Sequence, residues 1–204
     1  LKHTQTITNI IRKLQPTIQD LRYANKLLPT SHLRDIYLTH IYPHLISNVS
    51  IWGTADTTKT YIRPLVRTHK KIIRLIMNRP PGTHTAPLMA RLKLLNPYNL
   101  YTYRVCVETH PFIHLKKDVN RPEHNHNYIP ASCIHDYPTR HAQQQHYYIP
   151  NAGHGNRPTQ KHTLDFTTER NTRAWNEIPL EIRTISGLSS FKTTLKQYLL
   201  DRQV

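Results

Sequence analysis

Apolar residues recur at helical spacing between residues 57 and 78, and this pattern constrains the fold more than any other stretch of the sequence. Placed at 100° steps, they share one sector of a helix, while the basic residues of the stretch occupy the adjoining face. The apolar sector consists of Ile62, Leu65, Val66, His69, Ile72, Ile73 and Ile76. The basic face consists of Arg63, Arg67, Lys70, Lys71 and Arg74, with Lys59 at its edge. The sequence therefore predicts an amphipathic helix that packs one side into a core and turns cations towards water.

The same periodicity predicts helices before this stretch. Residues 4–28 indicate one bent helix, or two helices divided at Pro16, because proline removes a backbone donor and crowds the preceding turn. A second helix is expected to run on as far as Trp52. Its cap is expected at Thr30 or Ser31, its bend at Pro43 and its stop at Gly53.

Helical signals also follow the amphipathic stretch. Two helix starts are indicated by a polar residue and a nearby proline, namely Thr85 with Pro87 and Asn96 with Pro97. These helices are expected to run through Leu95 and Val107. Residues 110–162 lose the period and contain six prolines, which favours loops and short strands. Helical spacing returns around Trp175, and a last helix is expected from Ser189 or Ser190.

Positive charge is concentrated in the first half of the chain. The formal net charge is +16, and residues 1–105 hold sixteen Lys and Arg against Asp20, Asp35 and Asp56, which makes +13. A solvated helix face usually carries Glu or Asp partners one turn away, and the basic face has none. We therefore expect it to contact phosphates, although a solubility bias would also produce such a surface. Tyr147 and Tyr148 are further candidates, for base stacking.

The residue types needed for several kinds of catalysis are missing. Nucleotidyl transfer uses paired carboxylates to hold two metal ions, and the sequence contains neither Asp-Asp nor Asp-x-Asp. A phosphate-binding Gly-x-x-x-x-Gly-Lys loop and a Gly-x-Ser-x-Gly nucleophile turn are also missing. We expect no catalytic site and no cofactor in this chain. Two cysteines in 204 residues argue against a disulfide framework, and no apolar run reaches membrane-spanning length.

A zinc site is the sharpest alternative in the irregular region. His124, His126, Cys133 and His135 combine imidazole and thiolate ligands over a short span. Structural zinc sites favour ligand pairs two to four residues apart, and one cysteine with three histidines fits no familiar arrangement. Histidines that serve only as polar loop residues explain the same pattern.

Several phrases, in order, resemble the region downstream of the catalytic palm in reverse transcriptases of LINE-type, non-LTR retrotransposons. The first are Leu33-Arg34-Asp35-Ile36-Tyr37, His40-Ile41-Tyr42-Pro43-His44-Leu45 and Trp52-Gly53, followed by the basic helix. Next come Thr83-His84-Thr85-Ala86-Pro87-Leu88, Leu92-Lys93-Leu94-Leu95 and Tyr137-Pro138-Thr139-Arg140. The last are Ala174-Trp175-Asn176-Glu177-Ile178-Pro179 and Leu188-Ser189-Ser190-Phe191-Lys192. The chain departs from the family in its His- and Gln-rich loop region and in Pro64, which is expected to interrupt the basic helix.

The resemblance implies that this chain is a piece of a longer RNA-directed DNA polymerase. The palm aspartates, and the endonuclease that such elements often carry, would then lie upstream of Leu1. What remains would be the thumb and the region after it, which in polymerases hold the primer–template duplex by its backbone. The upstream palm and fingers would be protein partners, in an intracellular ribonucleoprotein that is nuclear or cytoplasmic, with no membrane association.

Together these observations predict a mainly α fold in three parts. A basic, thumb-like helical bundle is expected over residues 1–109, an irregular Pro-, His- and Asn-rich connecting segment over 110–163, and a C-terminal helical segment over 164–204. The expected function is sequence-independent binding of an RNA–DNA duplex through phosphates. The residues expected to make these contacts are Lys59, Arg63, Arg67, Lys70, Lys71 and Arg74. The alternatives are a non-catalytic protein-interaction or relic module, and a small zinc-binding module.

Overall fold

A single helix, α1 (Lys2–Ala24), opens the fold and contains Pro16 in its interior. In the computed structural model, which describes residues 2–114, 128–134, 137–148 and 163–203, the chain divides into two compact units. Unit 1 comprises Leu1–Arg104 and Lys196–Val204, and unit 2 comprises Val105–Leu195. The expectation of a mainly α, bundle-like fold is confirmed. Of the two possibilities for the first segment, one continuous helix is the observed one.

The second predicted helix is interrupted, and the prediction of one element up to Trp52 was wrong. It consists of α2 (Thr30–Ile36), a π-helical turn (Tyr37–Ile41), α3 (Tyr42–Ile46) and α4 (Val49–Trp52). The N-cap is Pro29, without a side-chain hydrogen bond, so capping by Thr30 or Ser31 was also wrong. Pro43 lies in the first turn of α3, directly after the π-helical turn. Because Pro43 cannot donate a backbone hydrogen bond, a locally widened helix accommodates it.

The stop at Gly53 is confirmed, and its geometry leaves no room for a side chain. Gly53 caps α4 in an extended conformation, and its N–H donates to the Val49 carbonyl at 2.7 Å. A Cβ atom at this position would collide with that carbonyl oxygen and would lie 2.8 Å from Cδ2 of Tyr101. The glycine is therefore required by close packing.

Substitution of Gly53 by alanine is expected to lower the free energy of unfolding by about 1–3 kcal/mol, the usual cost of overpacking a core. Gly187 provides the control, because a Cβ atom there would meet only Ser190 Oγ, at 3.8 Å. Gly187→Ala should leave stability nearly unchanged. Chemical denaturation followed by far-UV circular dichroism measures both variants. Equal stability of the Gly53 variant and the wild type would contradict the packing argument.

The amphipathic stretch forms α5 (Arg63–Ile76), which is shorter than the expected 57–78. Pro64 lies in its first turn, where no intrahelical donor is needed, so Pro64 begins the helix instead of interrupting it. α5 packs against α1. The helix start predicted at Thr85 is confirmed by α6 (Ala86–Leu92), which ends before Leu95 because Lys93 adopts a left-handed conformation, with φ of 55°.

The start predicted at Asn96 is confirmed by α7 (Pro97–His114), where the Asn99 N–H donates to Asn96 Oδ1 at 2.9 Å. α7 continues through Pro111, so the expectation that helical pattern ends near residue 110 was wrong by a turn. The helices that follow are α8 (Arg140–Gln143), α9 (Thr163–Asn176), α10 (Leu180–Arg183) and α11 (Leu188–Arg202). None of the helices among the described residues is both long and apolar enough to cross a membrane.

The core of unit 2 is aromatic. Trp175 and Phe191 are almost fully buried and stack with ring centroids 5.4 Å apart. His110 lies against Phe191, with its Nε2 2.7 Å from the Ile185 carbonyl. In the described part of residues 110–162, the expected short strands are not found. The loops there contain a 3-10 turn (Ala131–Cys133), the short helix α8 and an isolated antiparallel bridge between Pro130 and Tyr147.

Candidate nucleic-acid interface

Four cations on one flank of α5 are exposed to solvent: Arg63, Arg67, Lys70 and Lys71. Their spacing of four, three and one residues places them along the same side of the helix. Among the described residues, none of the four forms an ion pair with a carboxylate. We call these four residues the α5 flank. Within the described part of the chain, the α5 flank is therefore a row of positive charge on a regular helix, without a carboxylate partner.

Arg74 differs from the α5 flank, although the sequence placed it on the same face. It is half-buried, and its Nε donates to the Thr83 carbonyl at 2.9 Å. Part of its hydrogen-bonding capacity therefore holds the loop that follows α5. Arg74 can still contribute charge, but it is less available for a ligand.

Lys59 lies before α5 and has an acidic neighbour. Its Nζ is 3.5 Å from Asp56 Oδ2. The side-chain hydroxyl and the backbone N–H of Thr58 donate to Asp56, and these bonds, more than Lys59, lower the pKa of the Asp56 carboxyl. The carboxylate is therefore ionised at neutral pH and partly neutralises Lys59.

The opposite face of α5 is anchored in the core of unit 1. The expected apolar sector is confirmed, since all of it is buried except Val66, which is half-buried. His69 is buried with the rest, and its Nε2 lies 2.8 Å from the Tyr37 hydroxyl oxygen. This burial fixes the rotation of the helix about its axis. The α5 flank consequently faces solvent.

The His69–Tyr37 pair remains uncharged at neutral pH. Burial lowers the pKa of His69 to about 4 and raises the pKa of Tyr37. Nδ1 of His69 has no hydrogen-bond partner among the described residues. Protonation of His69 would therefore place an uncompensated charge inside unit 1.

A second group of cations, which sequence reasoning missed, converges in unit 1. Arg34 Nε donates to the Leu92 carbonyl at 2.8 Å, which brings Arg34 to the end of α6 beside Lys93. Lys196 completes the group: burial lowers the pKa of its ammonium, and the charges of Arg34 and Lys93 lower it further. These residues come from distant parts of the sequence, so no local spacing could have revealed them.

Of the four candidate zinc ligands, the structure describes one. Cys133 is exposed and forms no disulfide, and His124, His126 and His135 lie outside the described residues. Within the described residues, no group of three or more His, Cys, Asp or Glu side chains could hold a metal ion. The other cysteine, Cys106, is buried, and burial raises the pKa of its thiol.

Comparisons of the chain with known protein families, with curated proteins and with solved structures gave no match. The similarity to LINE-type reverse transcriptases therefore depends on the ordered sequence phrases alone. Five of the residues that carry it are Tyr37, Leu45, Trp52, Trp175 and Phe191, and all five are buried. Those positions serve packing, so the phrases bear on fold more directly than on activity.

Proposed function

We propose that this chain binds nucleic acid by its phosphate backbone, without sequence preference, and that the α5 flank makes the principal contact. The observation that carries the proposal is the combination, on one helix, of a buried apolar face and a row of exposed cations that forms no ion pair with a carboxylate among the described residues. In keeping with the family resemblance, the parent protein would be a reverse transcriptase. This chain would grip the primer–template duplex, and the chemistry would belong to the palm.

The dimensions of the α5 flank suit a duplex. Eight residues separate Arg63 from Lys71, which corresponds to about 12 Å along a helix. A DNA duplex carries one charge per about 1.7 Å, so this length faces on the order of seven phosphates. Lys and Arg contacts to phosphates set the position of a protein on a duplex but carry no sequence information. The flank therefore favours binding that is general for polyanions.

The protein-interaction alternative would require the apolar face of α5 to be available to a partner. Ile62, Leu65, Ile72 and Ile73 have no measurable exposed surface. This face is already occupied by the core of unit 1, which favours the phosphate-binding proposal over the alternative.

The affinity of the chain for an RNA–DNA hybrid is expected to fall steeply with salt. Four phosphate contacts predict that log K declines against log salt with a slope of about −3.6, because each contact releases condensed counterions. Fluorescence anisotropy with a labelled short hybrid, between about 50 and about 200 mM NaCl, measures this slope.

Two hybrids of equal length and unrelated sequence provide the control and should give overlapping titrations. A slope near zero would contradict phosphate binding. A strong preference for one of the two sequences would contradict the proposed absence of base readout.

A further inference from the structure

Three cations from distant parts of the sequence meet in unit 1: Arg34 of α2, Lys93 at the end of α6 and Lys196 of α11. We call these three residues the Lys196 cluster. Lys93 is exposed, and the side chains of Arg34 and Lys196 are half-buried. All three residues belong to unit 1, so their arrangement is set within one compact unit.

Arg34 is held in place by the end of α6. Its Nε donates to the carbonyl of Leu92, the last residue of that helix, at 2.8 Å. This bond uses one of the five N–H groups of the guanidinium. Nη1 and Nη2 form no hydrogen bond with the described residues, and they are not among the buried polar atoms that lack a partner. The same is true of Nζ of Lys196. These nitrogens are therefore open to solvent and to a ligand.

Hydrogen bonds at the end of α11 bring Lys196 to the same place. Gln203, directly after α11, donates through Nε2 to the Leu94 carbonyl at 2.8 Å and accepts from the Asn96 N–H at 3.1 Å. Lys196 precedes Gln203 by seven residues, about two helical turns, so the two residues lie on the same side of α11. The side chain of Lys196 therefore leaves α11 on the side that faces the end of α6.

The end of α6 explains only part of the Lys196 cluster. Basic side chains near a helix C-terminus interact favourably with its last carbonyls, which accounts for Arg34 and Lys93. Lys196 is different, because burial lowers the pKa of its ammonium and the charges of Arg34 and Lys93 lower it further. The protonated lysine is thus repelled by its two neighbours. An anion bound among the three cations would relieve that repulsion.

The charge of the Lys196 cluster favours a ligand with several negative charges. A phosphate in a nucleic-acid backbone carries one negative charge, and a terminal phosphate carries about 1.5 to 2 at neutral pH. A chain of two or three phosphates carries more charge and offers oxygens in several directions. The forked edge of a guanidinium fits two such oxygens, whereas an ammonium acts as a point charge. One arginine with two lysines therefore suits a chain of phosphates.

We propose that the Lys196 cluster binds a compact polyphosphate group, to which Arg34 offers its free guanidinium edge and Lys93 and Lys196 offer their ammonium groups. Either a free nucleoside diphosphate or triphosphate, or the 5′-triphosphate end of an RNA strand, supplies such a group. The site contains no residue of the α5 flank, and it does not depend on the proposed binding of a duplex.

Calorimetric titration of the full chain with inorganic pyrophosphate tests the site. The double variant Lys93→Asn/Lys196→Met removes two of the three charges. Asparagine tolerates the left-handed backbone at position 93, and methionine retains an unbranched apolar stem at position 196. Loss of two contacts to a charged ligand should weaken binding at least roughly 100-fold. Wild-type protein that shows no saturable binding up to about 10 mM pyrophosphate would overturn the proposal.

Two control variants separate the Lys196 cluster from overall charge and from the α5 flank. Arg12→Gln/Lys13→Gln removes two charges from α1, and replacement of Arg67, Lys70 and Lys71 by glutamine removes three from α5. Both should bind pyrophosphate as the wild type does. Losses equal to that of the cluster variant would overturn the proposal. Because the α5 variant is expected to lose the hybrid and keep pyrophosphate, failure of duplex binding remains distinguishable from failure of this site.

Nuclear magnetic resonance of the wild-type chain decides the question if the double variant fails to fold. In protein with ¹³C-labelled lysine, the Cε signals report protonation of each amine, and Lys196→Arg assigns the signal of Lys196. Pyrophosphate is expected to raise the pKa of Lys196, because a bound anion stabilises the charged form. The signal of Lys13, which is exposed on α1, should stay in place. A Lys196 titration curve that pyrophosphate leaves unchanged would overturn the proposal.

The same Lys196 signal distinguishes the two sources of the polyphosphate group. A 5′-triphosphorylated RNA oligonucleotide that shifts it when the 5′-hydroxyl counterpart does not would identify a strand end as a ligand. Adenosine triphosphate that shifts it when neither oligonucleotide does would identify a free nucleotide. Equal shifts by the triphosphorylated and 5′-hydroxyl oligonucleotides would overturn the proposal, because backbone phosphates alone would then account for binding.

Discussion

Replacing Arg67, Lys70 and Lys71 together by glutamine is expected to weaken the binding of an RNA–DNA hybrid by roughly 500-fold at about 0.1 M salt. Three lost phosphate contacts reduce the slope of log K against log salt by about 2.7. Relative to about 1 M salt, where counterion release contributes nothing to the affinity, this difference in slope amounts to a factor of roughly 500 at about 0.1 M. The fold should persist, because substitutions of exposed side chains usually change stability by less than about 0.5 kcal/mol. Anisotropy titrations across a salt series measure both the affinity and the slope.

The matched control removes the same charge from another helix. Arg12, Lys13 and Arg22 are exposed on α1, and their replacement by glutamine also lowers the net charge by three. If direct contacts to the α5 flank carry the binding, this variant should lose much less affinity than the α5 variant, because it retains all four cations of the flank. Equal losses would mean that overall charge governs binding, and the α5 flank would lose its assigned role.

The helix α5 was predictable because its evidence is local. Its apolar residues repeat with the period of a helix, and its cations cluster on the adjoining face, so both sides are defined within about four turns of sequence. The helix begins at Arg63, with Pro64 in its first turn. The preference of proline for the first turn of helices could have predicted this start. The identity of its buried face needed no knowledge of the rest of the chain.

The breaks between residues 30 and 52 were not predictable in the same way. Tyr37, Ile41, Leu45 and Val49 are all buried at intervals of four, so the apolar period continues through both irregularities. The left-handed residue Asn48, with φ of 53°, interrupts the backbone without interrupting that pattern. Hydrophobic periodicity predicts which side of a segment faces the core. It does not predict whether the backbone hydrogen bonds of the helix are continuous.

The candidate sites show the same division between local and long-range information. Exposure of the α5 flank follows from helix geometry, whereas the bond from Arg74 to the Thr83 carbonyl depends on the loop after the helix. The ion pair of Lys59 with Asp56 is three residues apart and was accessible to sequence reasoning. The environment of the Arg183 guanidinium was not accessible in this way, because it is set by the backbone carbonyls of Ile178, Gln145 and Gln144, which residue identities do not reveal.

Acidification is expected to destabilise unit 1 through His69. Its pKa is about 4 in the folded protein and 6.5 in an unfolded chain. Between these values the unfolded state binds more protons, so the free energy of unfolding falls as pH is lowered. The stabilisation is fully present above pH 6.5, and its loss is complete near pH 4. The difference in pKa corresponds to a loss of about 3 kcal/mol, measurable by urea denaturation at a series of pH values.

The double variant Tyr37→Phe/His69→Leu isolates this contribution from those of the other histidines. It replaces both hydrogen-bonding partners by apolar groups of similar size, so its stability at pH 7 should stay close to that of the wild type. Its stability should decline less on acidification, and the difference between the two proteins should reach about 3 kcal/mol near pH 4. Tyr37→Phe alone retains the buried imidazole and should keep the steep decline. Parallel curves for the wild type and the double variant would place the acid sensitivity elsewhere and would leave His69 as an ordinary polar residue of the core.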